Sequence, residues 1–221
     1  MLKEYYEKIV QWGKDRKIIP NAKILVQAGK MVSEKAEISK AFLETDYIGV
    51  IDGIGDTFVT LVNVAELCKL KGIYQNLKLE FDEKTIENSA AKVILELDVL
   101  VGEILDHIIK ENYTQAYKKL NNVIQYLHLL AKLFNTTLVN CVEHSYNQIK
   151  DRKGITLENG TFIKESDPRY KEIIEQNNSK ENIQNKEEKK EENSQNKEEN
   201  SQETNQNKLN INKKIKKFKK K

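Results

Sequence analysis

Apolar positions recur with a helical period from Leu2 to about Asp151, and strict two-residue alternation is nearly absent. The spacing predicts six helices, at about residues 2–15, 22–43, 47–70, 84–111, 114–135 and 137–151. Ile18-Ile19-Pro20-Asn21 separates the first two, because the fixed φ and missing N–H of proline suit a turn or a helix start. Glu44-Thr45-Asp46 supplies the break before the third helix. On helix two, Leu25, Met31, Ile38 and Phe42 fall on or near one face. On helix three, Ile51, Ile54, Phe58, Leu61, Val62 and Ala65 form a wide apolar stripe that is expected to pack inward. Beyond the last helix, Gly154-Ile155-Thr156 and Gly160-Thr161-Phe162-Ile163 flank Asn159-Gly160, a dipeptide suited to tight hairpin turns. The expected fold class is all-α, a helical bundle of antiparallel hairpins with a short C-terminal β-hairpin.

A weak internal similarity appears at an offset of 66 residues. Glu37-Ile38 falls on Glu103-Ile104, Tyr47 on Tyr113, Leu61 on Leu127, Ala65 on Ala131 and Leu67 on Leu133. Helices two and three (22–70) are then echoed by helices four and five (88–136) as a degenerate second hairpin, although amphipathic hairpins also align in part by chance. In such a pair the chemistry has diverged. Glu34, Asp52 and Asp56 correspond to Leu100, Lys118 and Asn122, so that Glu103 is the second copy's one matching acid.

Composition sharpens this picture at the C-terminal end. The 221 residues suffice for one domain with a tail, and 32% charged residues, 7% aromatics and two prolines disfavour a sandwich or barrel. The domain is expected at 1–166 and a tail at 167–221. From about Gln176 the chain is nearly pure Asn, Gln, Lys, Glu and Ser, too polar to offset its ordering entropy, so disorder is expected there. Lys213 to Lys221 is strongly basic and suits nucleic acid or an anionic surface, or serves only to solubilise. The net charge of +3 is otherwise close to balance and points to no partner. Cys68 and Cys141 form no CxxC pair and suit small core residues in a reducing compartment. Met1-Leu2-Lys3-Glu4 opens a charged amphipathic segment, and no apolar stretch approaches the roughly 20 residues of a membrane span. The expectation is a soluble, cytoplasmic protein without a membrane partner.

The candidate chemistry is carboxylate chemistry. Glu34 and Glu37 are spaced i,i+3 on helix two, and Asp52 and Asp56 are spaced i,i+4 on helix three. Asp56 interrupts a mostly apolar segment, where an acid needs a cation or a partner, and Thr60 and Asn63 continue its polar stripe. A short turn makes the two helices antiparallel and brings the acidic pairs face to face. Converging oxygen ligands of this kind suit magnesium against phosphate oxygens, whereas solvated faces paired with Lys30, Lys35 or Lys40 are the simpler alternative.

The order of these pieces resembles the MazG-like family of all-α nucleoside triphosphate pyrophosphohydrolases, particularly its small phage-type members. The family's Glu-Glu-x-x-Glu and Glu-x-x-Asp motifs are matched by Lys30-Met31-Val32-Ser33-Glu34-Lys35-Ala36-Glu37 and Asp52-Gly53-Ile54-Gly55-Asp56. Gln11-Trp12-Gly13-Lys14-Asp15-Arg16 resembles its N-terminal segment. Tyr146 to Gly154, with Asn159-Gly160-Thr161-Phe162-Ile163-Lys164, resembles its C-terminal end. Ser33 stands where the first glutamate usually lies, and Gly53 where the glutamate of Glu-x-x-Asp is expected.

The resemblance implies hydrolysis of a nucleoside or deoxynucleoside triphosphate to the monophosphate and pyrophosphate. It implies magnesium, with manganese as an alternative, on Glu34, Glu37 and Asp56, with Asp52 as a substitute ligand. Glu37 would orient or deprotonate the attacking water. Lys150, Arg152 and Lys153 are candidates to hold the triphosphate, and Trp12 and Asn63 to contact the rest of the nucleotide. Gly53 and Ser33 equally allow a catalytically degenerate nucleotide binder, and a helical adaptor with a nucleic-acid-binding tail is a third reading. Relatives pair hairpins across subunits into a four-helix bundle, whereas an internal repeat would supply that partner within one chain, so a homo-oligomer and a single-chain bundle both remain open.

Overall fold

A computed structural model describes residues 1–69 and 89–179. All six predicted helices form: α1 (Leu2–Asp15), α2 (Ile24–Leu43), α3 (Tyr47–Leu67), α4 (Ala90–Ile109), α5 (Tyr113–Leu133) and α6 (Leu138–Ile149). An antiparallel hairpin follows, with β1 (Gly154–Thr156) paired to β2 (Phe162–Lys164) and Ile155 opposite Ile163. The chain is all-α with a C-terminal β-hairpin, as its periodicity predicts. It divides into two compact units, Met1–Asp167 and Pro168–Lys221. In the second unit, residues 170–179 are helical, so 176–179 do not join the disorder expected from composition. Predicted helix positions 70 and 84–88, and the tail from residue 180 with its basic end, lie outside the described residues.

Helices α1 to α5 stop for a shared reason. Lys17, Thr45, Lys69, Glu111 and Asn135 each follow a helix C-cap in the left-handed region, with φ between 54° and 58°. None is glycine, so each stop costs about 1 kcal/mol of backbone strain. The strain is offset by carbonyls that would otherwise lack donors. Asp46 N–H reaches Ala41 O and Asn112 N–H reaches His107 O, each at 2.8 Å. The following starts are capped too, as Asp46 Oδ1 accepts from Gly49 N–H and Asn112 Oδ1 from Gln115 N–H.

The element bounds recur at the offset of 66 residues. Ile24–Leu43 and Ala90–Ile109 start and end 66 residues apart, as do Tyr47–Leu67 and Tyr113–Leu133. The left-handed stops Thr45 and Glu111, and Lys69 and Asn135, keep the same offset. So do the caps Asp46 and Asn112. Each hairpin turns through a three-residue link, which makes its helices antiparallel neighbours. The hairpins pack together through α2 on α4 and α3 on α5, giving a four-helix bundle within one chain, and α1 and α6 cover another side of α3.

Helix α3 is therefore the core helix. Ile54, Phe58, Leu61, Val62 and Ala65 are fully buried, while Ile51 is half-buried. Among the described residues α3 alone is long and apolar enough to cross a membrane, which corrects the expectation that no segment approaches that length; here 72% of its most apolar stretch is buried inside the protein. On α2, Met31 and Ile38 are buried as predicted, but Leu25 is 52% exposed and borders an open depression with Pro20, Ile109 and Tyr113. Cys141 is buried, Cys68 is partly buried, and both are free thiols.

Candidate functional site

Two polar stripes face each other across the first hairpin. Gln27, Lys30, Glu34 and Glu37 follow one face of α2, and Asp52, Asp56, Thr60 and Asn63 one face of α3. The antiparallel register joins their ends. Asn63 Nδ2 donates to Gln27 Oε1 at 3.3 Å, which leaves Glu34 and Glu37 at the level of Asp56 and Asp52. All eight residues line one cavity of about 580 Å³.

The other walls come from distant parts of the chain. Trp12 from α1 is buried and donates its indole N–H to Ile149 O at 2.9 Å, at the end of α6. Arg16 holds that end as well, donating from Nη2 to Lys150 O at 3.0 Å and Arg152 O at 2.6 Å, and its guanidinium lies 5.0 Å from the Trp12 ring. This clamp fixes the chain as it leaves α6 and places Arg152 on the cavity wall. The β-hairpin docks on the start of α2. Gly160 has φ +85° and packs against Ala22, so both its backbone and its missing side chain are required, and Gly160 O accepts from Gln27 Nε2 at 3.2 Å. Docking there brings Thr161, Phe162 and Lys164 to the cavity.

The acids differ in surroundings. Glu34 is buried and pairs with Lys30 Nζ, whose side chain is half-exposed. Glu37 is exposed. Asp52 Oδ1 accepts from Gln148 Nε2 at 2.8 Å, with His144 Nε2 at 3.6 Å. Asp56 is half-buried, and burial, then the Glu34 and Asp52 charges, push its carboxyl up to about 6. Ser145 and Arg152 act against that rise. Four carboxylates around one cavity form a hard-oxygen donor set of the kind magnesium takes, and the raised Asp56 marks negative charge that a cation would relieve. As the side chains stand, however, no three His, Cys, Asp or Glu groups among the described residues converge to a ligand set.

Of the nine residues picked from sequence, seven line the cavity: Trp12, Glu34, Glu37, Asp52, Asp56, Asn63 and Arg152. Trp12 serves equally as core, with its N–H already used. Lys150 and Lys153 are not among its lining residues. Lys150 Nζ turns outward to Asn147 Oδ1 at 3.0 Å, and Lys153 lines a shallow depression that adjoins the cavity through Arg152 and Lys164. Lys164 takes their place as a cavity cation. Gln27 and Lys30 were also missed, although their spacing with Glu34 and Glu37 continues one helical face.

Gly53 also finds an explanation. A Cβ built on it would lie 2.7 Å from Ile38 Cγ1 and 3.2 Å from Ile38 N, so position 53 faces the α2–α3 crossing and not the cavity. The acid on the cavity side, four residues before Asp56, is Asp52. A glutamate at position 53 would have to push α2 and α3 apart.

A comparison of the chain with protein-family models, with curated proteins and with solved structures finds no match. The site therefore rests on its own geometry: acids on two facing helices, cations from α2, the end of α6 and β2, and an aromatic and amide end formed by Trp12, Phe162, Gln27 and Asn63.

Proposed function

We propose that this chain is a magnesium-dependent nucleoside triphosphate pyrophosphohydrolase, converting a nucleoside or deoxynucleoside triphosphate and water to the monophosphate and pyrophosphate. The observation that carries this reading is one cavity lined both by Glu34, Glu37, Asp52 and Asp56 and by Arg152 and Lys164. A simple anion site has no need of the acids.

Glu34, Glu37 and Asp56 would hold magnesium or manganese, with Asp52 beside them. The metal, when bound, neutralises phosphate oxygens and lowers the pKa of a water. Arg152 and Lys164 donate to the phosphate chain, where charge-assisted hydrogen bonds are strongest. Glu37, the most exposed of the two α2 acids, accepts a proton from the attacking water and orients it. Trp12 and Phe162, with ring centroids 6.4 Å apart, form an apolar wall against which a base or sugar packs.

The test is pyrophosphate release from a panel of nucleoside and deoxynucleoside triphosphates with magnesium or manganese. Turnover is expected for at least one, falling by about 10²-fold or more in Glu37→Gln. A second reading, a nucleotide binder without turnover, is favoured by the absence of a converged ligand set among the described acids. Tight nucleotide binding with no pyrophosphate released would select it.

A further inference from the structure

Lys30 and Glu34 form an ion pair one helical turn apart, inside the cavity. The Glu34 side chain is only 8% exposed, whereas that of Lys30 is 54% exposed. The ammonium therefore sits on the desolvated acid from the solvent side, on a flexible stem with room to leave. Glu34 is also one of the charges that raise Asp56, so its negative field reaches α3. The second hairpin keeps neither partner, having Glu96 and Leu100 at the corresponding positions.

We infer that Lys30 is a cationic latch: it holds Glu34 while the acid cluster is empty, is displaced when a divalent cation binds there, and then becomes a ligand for the substrate's phosphates. This rests on the metal reading above and adds a residue to it. An ammonium and a divalent cation repel each other and compete for the Glu34 oxygens. Binding of the cation there therefore opposes the Lys30–Glu34 pair, and by linkage that pair weakens binding of the cation. The freed ammonium stays on the cavity wall. A triphosphate arriving with its metal offers oxygens in place of the carboxylate it has lost, so metal and substrate binding are coupled through one side chain.

The experiment measures Mn2+ binding to the full-length protein by electron paramagnetic resonance, and binding of pyrophosphate with equimolar Mn2+ by calorimetry. Wild type is compared with Lys30→Met and with Lys164→Met, which removes a cavity cation that does not sit on Glu34. Lys30→Met is expected to tighten Mn2+ by about fivefold or more and to loosen metal-pyrophosphate by a similar factor. Lys164→Met should tighten Mn2+ less. Equal tightening by both variants would mean a general field effect and would overturn the latch. Unchanged Mn2+ affinity in Lys30→Met, with wild type binding Mn2+, overturns the latch and leaves the metal site standing. Failure of wild type and Lys30→Met alike to bind Mn2+ overturns both.

Discussion

Met31, Ile38, Ile54, Phe58 and Leu61 in the first hairpin are matched by Leu97, Ile104, Leu120, Ile124 and Leu127 in the second, all buried and all apolar. Gln27, Glu34, Lys35, Thr57 and Asn63 are buried at five further positions of the first hairpin, where the second has Val93, Leu100, Val101, Val123 and Leu129. The same backbone frame thus carries a hydrocarbon core in one copy and a set of buried polar groups in the other. Buried polar and charged groups are costly unless paired, and Thr57 Oγ1 and Asn63 Oδ1 find no hydrogen-bond partner among the described residues. Three of the five, Gln27, Glu34 and Asn63, line the cavity, whereas Lys35 pairs with Asp98 on α4. The comparison sets a partly polar core and the cavity lining in the first hairpin against an apolar core in the second.

Grafting the second copy onto the first breaks the contrast most strongly. Glu34→Leu with Asp56→Asn imports the residues at positions 100 and 122. Pyrophosphate release should fall by about 10²-fold or more. Melting temperature should hold or rise, because a desolvated acid is replaced by an apolar side chain. A graft that keeps its activity would separate these acids from the chemistry.

The next effect concerns the join between the copies. Lys35 on α2 is 1% exposed and pairs with Asp98 on α4 and, at 2.9 Å, with Ser39 Oγ. The corresponding residues in the other copy are Val101 and Val32, so this ion pair crosses the bundle only in the observed arrangement. Asp98→Val strands a buried ammonium and should cost about 2 kcal/mol in urea unfolding. Lys35→Val leaves the half-exposed Asp98 free to rehydrate and should cost less. Equal losses would show that the burial of Lys35 is not what makes the pair matter.

A pH series sharpens the comparison at one residue. The Asp56 carboxyl is raised from 3.8 to about 6. The folded protein thus binds this proton more tightly than the unfolded chain does. That contribution to stability is present below about pH 4 and is lost as pH rises through about 6. Asp56→Asn, which cannot ionise, should gain on wild type in melting temperature between pH 4 and 7 when divalent metal is absent. Parallel melting curves across that range would remove the effect argued from burial of Asp56 and from the Glu34 and Asp52 charges.

The smallest effect is expected where the copies agree. Asp46→Asn and Asn112→Asp exchange two side chains that already accept the same kind of N-terminal hydrogen bond. Each should change stability by about 0.5 kcal/mol or less, measured by denaturant unfolding.

Much of this was legible in the chain. Helical period placed all six helices, Asn159-Gly160 placed the hairpin, and Glu34, Glu37, Asp52 and Asp56 do share a cavity. Local patterns stop where long-range docking begins. Lys164 joins the cavity because Gly160 seats the β-hairpin on Ala22, and nothing near Lys164 in sequence shows that contact. The direction taken after α6 is set by Arg16, which lies 136 residues before Arg152, so Lys150 and Lys153 could not be told apart from Arg152 by spacing. Leu25 fits the apolar period yet lies half-exposed, since periodicity marks a face and not how far a neighbouring helix covers it.

The contact of Gly53 with Ile38 also sets the order in which this site could change. A glutamate arriving alone at position 53 meets the Ile38 side chain and the α2 backbone and costs stability. Trimming Ile38 first opens a void in the core and by itself brings no gain. A sequence in this state is held there by two individually harmful steps. Asp52, already on the cavity side, is the acid from which variants of the site are most readily reached.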